Sequence, residues 1–284
     1  MKFRLLSLSA LTIAALATQA CTPESKLGSE HASQTFIHKY GIIVTSEDWE
    51  KAGCNGQVVT NFKDGMTIIE SYAGAELQGP TTYTFPNSPL IAKTEAYENG
   101  KCVKKTIHHS NSVPMEEIAY ISPTQVIVTR WYFTGTPESV EKYDGLSILS
   151  GTYYTPTAAL EGQVIAGNGT RVVRNAEGAL VHRETMAAGQ LTTRTEYYPN
   201  GVPQSMTSYQ NGKVHGTRKT FLENGGPKSI EQWANGEQNG ITTLFSHGEK
   251  VAEESYSQGQ KTGSQKIPTK EEIAFSEEEE IVYR

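Results

Sequence analysis

A chain of 284 residues in which 31 Asp and Glu outnumber 25 Lys and Arg, for a net charge of -6, lacks the clustered basic surplus that phosphate binding demands, which sets nucleic acid aside as a partner. Hydrophobic residues make up 37% and the mean hydropathy is -0.46, so the composition is that of a polar, soluble protein and not of a bundle of membrane spans. Twenty-six Gly and 12 Pro, with 14 Tyr against 8 Phe, favour many short strands joined by tight turns, an all-β class. Only Asp48, Asp64 and Asp144 are Asp, so no Asp-rich calcium loop can be assembled, and neither metal nor cofactor is expected.

In chain order, Lys2 and Arg4 precede an apolar run from Leu5 to Ala17 that is short for a membrane span, and small residues follow. Residues 1–20 therefore read as a secretory signal. Thr18-Gln19-Ala20-Cys21 resembles the bacterial lipoprotein box, which implies lipidation of Cys21 with palmitate-type acyl chains and a place in the cell envelope. The family prefers Leu where Thr18 stands and a small residue where Gln19 stands, and ordinary cleavage after Ala20 is the alternative. Thr22, not Asp, follows the Cys, which by the same resemblance implies the outer membrane. The mature chain stands at -8 once Lys2 and Arg4 are gone. Residues 21–35 are polar and aperiodic, as a lipidated tether would be. Cys54 and Cys102 then remain as an even pair able to form a disulfide in an oxidising compartment, or as two unpaired small residues.

Residues 36–60 read as an N-terminal cap: Ile42-Ile43-Val44 has strand character, and Ser46 to Lys51 carries acids behind a capping residue, as a short helix does. Beyond it glycines recur at fixed offsets: Gly201, Gly212 and Gly216, then Gly225, Gly236 and Gly240, then Gly248, Gly259 and Gly263, with gaps of 11 and 4 in each set and sets 24 and 23 residues apart. Tyr209, Trp233 and Tyr256 stand three residues before the second Gly, Tyr198 and Phe245 three before the first, and Phe221 four before, taken as the effect of one inserted residue in Gly225-Gly226. Asn200, Asn211, Asn224 and Asn235 precede glycines, and Asn-Gly accepts the positive φ of tight hairpins. The period predicts a single elongated antiparallel β-meander of tandem hairpins, each too slight to stand alone, with those nine glycines marking turns.

The segments Tyr198-Pro199-Asn200-Gly201, Tyr209 to Gly216 and Trp233 to Gly240 resemble the bacterial variant of the MORN repeat, found in proteins labelled YwqK-like. The clear repeats cover residues 169–263. Phe62 to Gly65, Tyr97 to Gly100, Tyr132 to Gly135 and Tyr143 to Gly145 extend weaker echoes over 61–168, and 264–284 forms a C-terminal cap or an acidic tail around Glu277 to Glu280. The resemblance implies a noncatalytic repeat scaffold that recognises a protein partner or an envelope glycan, or, from the label on some relatives, an immunity protein that neutralises a toxin.

Candidate chemistry is sparse. Ser139-x-x-Lys142, Tyr198-x-Asn200 and Lys261-Thr262-Gly263 occur in the order used by penicillin-binding proteins, a minor alternative that requires Ser139 and Lys142 one helical turn apart. His108-His109 lacks further ligands at metal spacing, and His215 and His247 fall at repeat turns. No catalytic residue is assigned, the chain is read as no enzyme, and the expectation is a surface rather than a pocket.

Overall fold

The computed structural model describes residues 31–175 and 177–268. Cys21 and the Glu277–Glu280 run lie outside them. The chain divides into two compact units, Met1–Glu161 and Gly162–Arg284, and both are open antiparallel meanders.

The first unit opens with β1 (His31–His38), β2 (Ile43–Val44) and helix α1 (Ser46–Lys51). It continues with β3 (Gly56–Phe62), β4 (Thr67–Ala73), β5 (Glu76–Leu77), β6 (Gly79–Thr84), β7 (Ile91–Glu98) and β8 (Lys101–His108). The run closes with β9 (Pro114–Tyr120), β10 (Gln125–Trp131), β11 (Pro137–Asp144) and β12 (Ser147–Tyr154). From β3 onward each long strand pairs with the next, and β1 lies on the other side of β3, with Phe36 opposite Val58. His31 to Thr35 thus stand in a strand, not in the expected tether, because alternate residues of β1 find partners along β3. The helix is where the acids predicted it: Thr45 caps it, its Oγ1 accepting from the Asp48 N–H at 3.1 Å.

The second unit runs β13 (Leu160–Ile165, straddling the boundary), β14 (Asn168–Arg174), β15 (Leu180–Ala187), β16 (Gln190–Tyr197), β17 (Pro203–Gln210) and β18 (Lys213–Phe221). It goes on through β19 (Pro227–Ala234), β20 (Glu237–Gln238), β21 (Gly240–Ser246), β22 (Glu249–Ser257) and β23 (Gln260–Lys266). Ser264 to Lys266 extend the sheet as part of β23.

Two turn chemistries alternate. At one sheet edge the Tyr198 N–H donates to the Val202 carbonyl and the Gly201 N–H returns to the Tyr198 carbonyl, at 2.8 and 2.9 Å. Phe62 to Met66, Tyr132 to Thr136 and Leu222 to Gly226 repeat that pattern, a type I turn closed by a left-handed residue. At the other edge two-residue turns place both central residues at positive φ, as at Asn211 (50°) and Gly212 (74°), which is why Asn-Gly recurs there. These second turns are stitched along the edge: Gly236 donates to the Val214 carbonyl at 2.8 Å and Gly259 to the Gln238 carbonyl at 2.9 Å. Each hairpin thereby satisfies a backbone donor that would otherwise have to be left to solvent.

Two details of the expected register are corrected. Gly216 and Gly263 lie inside β18 and β23, and Gly240 begins β21, so these three are strand positions and not turns. Gly240 has φ +118° and a Cβ there would lie 2.9 Å from the Gln232 Cβ, so the backbone conformation and the neighbouring strand both select glycine. Leu222, not Phe221, occupies the Tyr198 position in the turn, since Leu222 makes the same two backbone bonds with Gly225 and Gly226. Nothing is inserted. Phe221 sits one place earlier, opposite Pro227.

Candidate functional site

Strand alternation and register put one set of side chains on a common face. In the first unit Thr81, Glu95, Lys105, Ile118, Val128 and Glu141 lie directly opposite one another on successive strands, and Gly151 ends the row. In the second unit Arg171, Glu184, Arg194, Thr207, Arg218 and Glu231 form the equivalent row. Two places after Glu95, Glu141, Glu231 and, on β22, Glu254 a ring lies on the same face, whereas Glu184 is followed there by Met186. Glu95 accepts from Tyr97 at 3.1 Å and Tyr83 at 2.9 Å, Glu231 from the Trp233 Nε1 at 2.9 Å, and Glu254 from Tyr256 at 2.8 Å. A polar strand thus buries charge by surrounding it with ring donors.

Glu141 is the most enclosed of these, 1% exposed. Its carboxylate accepts from Arg130 Nη1 and Tyr143 at 2.9 Å and from Tyr153 at 2.8 Å, and Arg130 also holds Glu116 at 2.9 Å. Tyr153 reaches it by lying across the bare backbone of Gly151, where a Cβ would stand 2.3 Å from the Tyr153 hydroxyl. Gly151→Ala is expected to push that stiff ring off the carboxylate and destabilise the protein by roughly 1–3 kcal/mol, read as a fall in the urea midpoint at unchanged slope.

The predicted aromatics take their places within the sheet. Tyr198, Tyr209, Phe221, Trp233, Phe245 and Tyr256 are all half-buried and serve the sheet. The Tyr198 hydroxyl donates to the Phe221 carbonyl at 2.8 Å, tying one repeat to the next, and Tyr209 lies 5.8 Å from the Arg194 guanidinium. Glu-x-aromatic at 70/72, 95/97, 141/143, 231/233 and 254/256 is the sequence signal for these glutamates, though it also occurs at 47/49 and 196/198 and does not mark Glu184, which is followed by Met186.

Other predicted groups are separated. Cys54 is a free thiol. It stands beside the start of β3, whereas Cys102 lies on β8 opposite Tyr97, so β4, β6 and β7 intervene and four strand spacings, about 19 Å, exceed the ~7 Å limit for a bridge. Ser139 is buried on β11 and Lys142 follows three residues later on the same strand, so the two side chains leave opposite faces and the helical geometry of the hydrolase alternative is absent. His108 and His109, adjacent at the end of β8, likewise diverge; burial lowers the His108 pKa, and His109 packs edge-on against Phe133 at 5.2 Å. His215 lies in β18, and His247 is in a turn at φ 50°.

Beside α1 the sheet carries a shallow, open depression of about 310 Å³ lined by Phe36, Trp49, Glu50, Cys54, Glu70 and Tyr72, among others. Trp49 is buried, its ring 5.9 Å from Phe36 and 6.3 Å edge-on from Tyr72. The Tyr72 hydroxyl is pushed up to about 12, by burial first and then by the Glu70 carboxylate.

No family model matches the chain, and no curated protein matches it. Among solved structures, "Crystal Structure of TcdB2-TccC3 without hypervariable C-terminal region" is similar at 14% identity and a TM-score of 0.16, over 80% of this chain and 15% of that one. "Crystal Structure of TcdB2-TccC3" is similar at 13% identity and a TM-score of 0.16, over 80% of this chain and 16% of that one. The chain therefore spans about a sixth of the structures it matches.

Proposed function

We propose that this chain is a noncatalytic repeat scaffold of the cell envelope, of the MORN-variant kind that its turns resemble, held to the membrane through Cys21 and binding a protein partner along one sheet edge. The supporting observation is the distribution of exposed apolar side chains in the first unit. Tyr40 (75% exposed), Ile42, Ile121 and Leu146 (68%) all stand at turns of the same edge, the one with two-residue hairpins, whereas the opposite edge offers Leu90, Phe133 and, at the start of β13, Leu160 (57%). Ile121 and Leu146 stand at neighbouring turns, while Tyr40 and Ile42 share one turn further along the edge, beyond Gly74-Ala75 and Asn99-Gly100; exposed apolar groups gathered in this way mark an interaction surface better than the same groups scattered singly. The face rings are spent on the internal carboxylates, which leaves the edge as the part of the unit with unpartnered contact area.

A photocrosslinking residue at Ile121 or Leu146, in intact cells of the native host, is expected to trap one partner of discrete mass. A matched probe at Lys213, exposed in the second unit, is the control. If the edge positions gave no adduct beyond that control, the edge-binding scaffold would be abandoned.

A further inference from the structure

We propose that Asn211-Gly212 is a built-in site of covalent modification, at which the Asn211 carboxamide is lost by spontaneous deamidation ahead of every other Asn-Gly pair in the chain. Asn-Gly is the dipeptide most open to this reaction, because glycine has no side chain to shield its backbone nitrogen, and it occurs eight times here. The Gly nitrogen gives up its proton to solvent base and attacks the Asn Cγ; a C–N bond forms, the bond from Cγ to Nδ2 breaks, and ammonia leaves. Water then opens the resulting succinimide at one carbonyl or the other, which yields aspartate or isoaspartate. The Gly N–H and the Asn carboxamide must both be free for ring closure, so a hydrogen bond on either has to be given up first.

At the other sites the fold ties down one or both groups. Gly100 donates to the Leu77 carbonyl at 3.0 Å and Gly236 to the Val214 carbonyl at 2.8 Å. Gly201 and Gly225 donate to Tyr198 and Leu222 within their own turns. The carboxamides there are engaged as well: Asn200 accepts from the Val202 N–H and donates to the Glu223 carbonyl, both at 3.0 Å, and Asn224 accepts from the Gly226 N–H at 2.9 Å. Asn55 and Asn168 both donate and accept through their side chains, and Gly56, Gly169 and Gly240 are held in β3, β14 and β21. Among the described residues, neither the Asn211 side chain nor the Gly212 N–H has a hydrogen-bond partner. Both residues are exposed, and a Cβ on Gly212 would meet nothing within 4 Å.

The strand register accounts for this exception. Pairing of β18 with β19 reaches Gly216 opposite Trp233, and that of β21 with β22 reaches Gly240 opposite Tyr256, in each case the ring two residues before the turn. Pairing of β16 with β17 stops one place earlier, at Thr193 opposite Ser208, so Tyr209 has no backbone partner in β16. Thr192, next in that register, turns its hydroxyl to the Thr185 carbonyl on β15 at 3.0 Å. The tip of the β17–β18 hairpin is thus left without the stitch that Gly189, Gly236 and Gly259 make along the same edge. Deamidation places a carboxylate on that tip, and the isoaspartyl product lengthens the main chain of a turn that has only two residues to give.

The test incubates the full chain in mildly alkaline buffer made with oxygen-18 water, which labels the new carboxylate, and follows all eight peptides by mass. Circular dichroism checks that the chain stays folded. Asn211 is expected to convert about tenfold faster than any other Asn-Gly site, the factor that one or two hydrogen bonds amount to, and faster still as pH rises. In concentrated urea the eight rates should converge, since every site has the same following residue. Another site as fast as Asn211 in the folded chain, an inert Asn211 while the unfolded chain reacts, or a spread of rates that persists in urea overturns the proposal.

Discussion

Glu141→Ala is expected to be the most damaging single substitution in the first unit, lowering unfolding stability by about 3–5 kcal/mol. The carboxylate is almost fully enclosed and accepts from Arg130, Tyr143 and Tyr153, so its removal leaves a guanidinium and two phenol hydroxyls deprived of the acceptor around which they are arranged. Arg130 retains Glu116, which limits the loss on that side. Glu141→Gln keeps the shape and one carbonyl acceptor while introducing an amide among donors, and is expected to fall between the wild type and Ala. Urea unfolding followed by tyrosine fluorescence measures both. An Ala variant within about 1 kcal/mol of wild type would mean that the carboxylate is not what holds these rings.

The meander and its period were legible because turns impose backbone conformations that few residues accept. Asn211-Gly212 and Asn235-Gly236 announce paired positive φ values, and Gly201 and Gly225 announce the left-handed close of the other turn. Upstream the same positions are filled by Ser112 and Ala158 at φ 64° and 63°, residues that carry no such signal, which is why the repeats of the first unit faded in the sequence. The assignment of Phe221 went astray for a related reason: the aromatic was used as the anchor of the register, whereas the chain anchors it on two backbone hydrogen bonds that any side chain permits, here Leu222. Glycines at the offset of four looked like turns because glycine is most often needed there, yet Gly240 answers a close neighbour on an adjacent strand.

The carboxylate row was invisible for a different reason. Glutamate in a polar strand reads as a solvated side chain, and its burial depends on which face the register turns toward its neighbours. The helix was readable from Ser46 to Lys51 alone, but the ring cluster beneath it was not, since Phe36, Trp49 and Tyr72 come from three elements and meet only when β1 pairs with β3. Local chemistry therefore foretold the turns, and long-range pairing decided what the faces hold.

The second unit offers the clearest pH test, at Glu184. Burial alone raises the pKa of this carboxyl, but Arg171 at 2.9 Å and Arg194, bonded through Nε at 2.9 Å and Nη2 at 2.6 Å, outweigh it and hold the group below its ordinary 4.5. A folded-state pKa below the unfolded one means that the unfolded chain takes up the proton first, so the stabilisation is complete above about 4.5 and is lost as pH falls through the folded value. Glu184→Gln cannot titrate. The variant is expected to be clearly less stable than wild type at pH 7, where two half-buried guanidiniums lose their counter-charge, and the gap between the two proteins should narrow steadily as pH drops below about 4. Urea midpoints at pH 7, 5, 4 and 3 give the comparison directly. A gap that stayed constant across that range would show that the Glu184 charge contributes nothing beyond the shape of its side chain, and the arginine–carboxylate row would then have to be counted as packing alone.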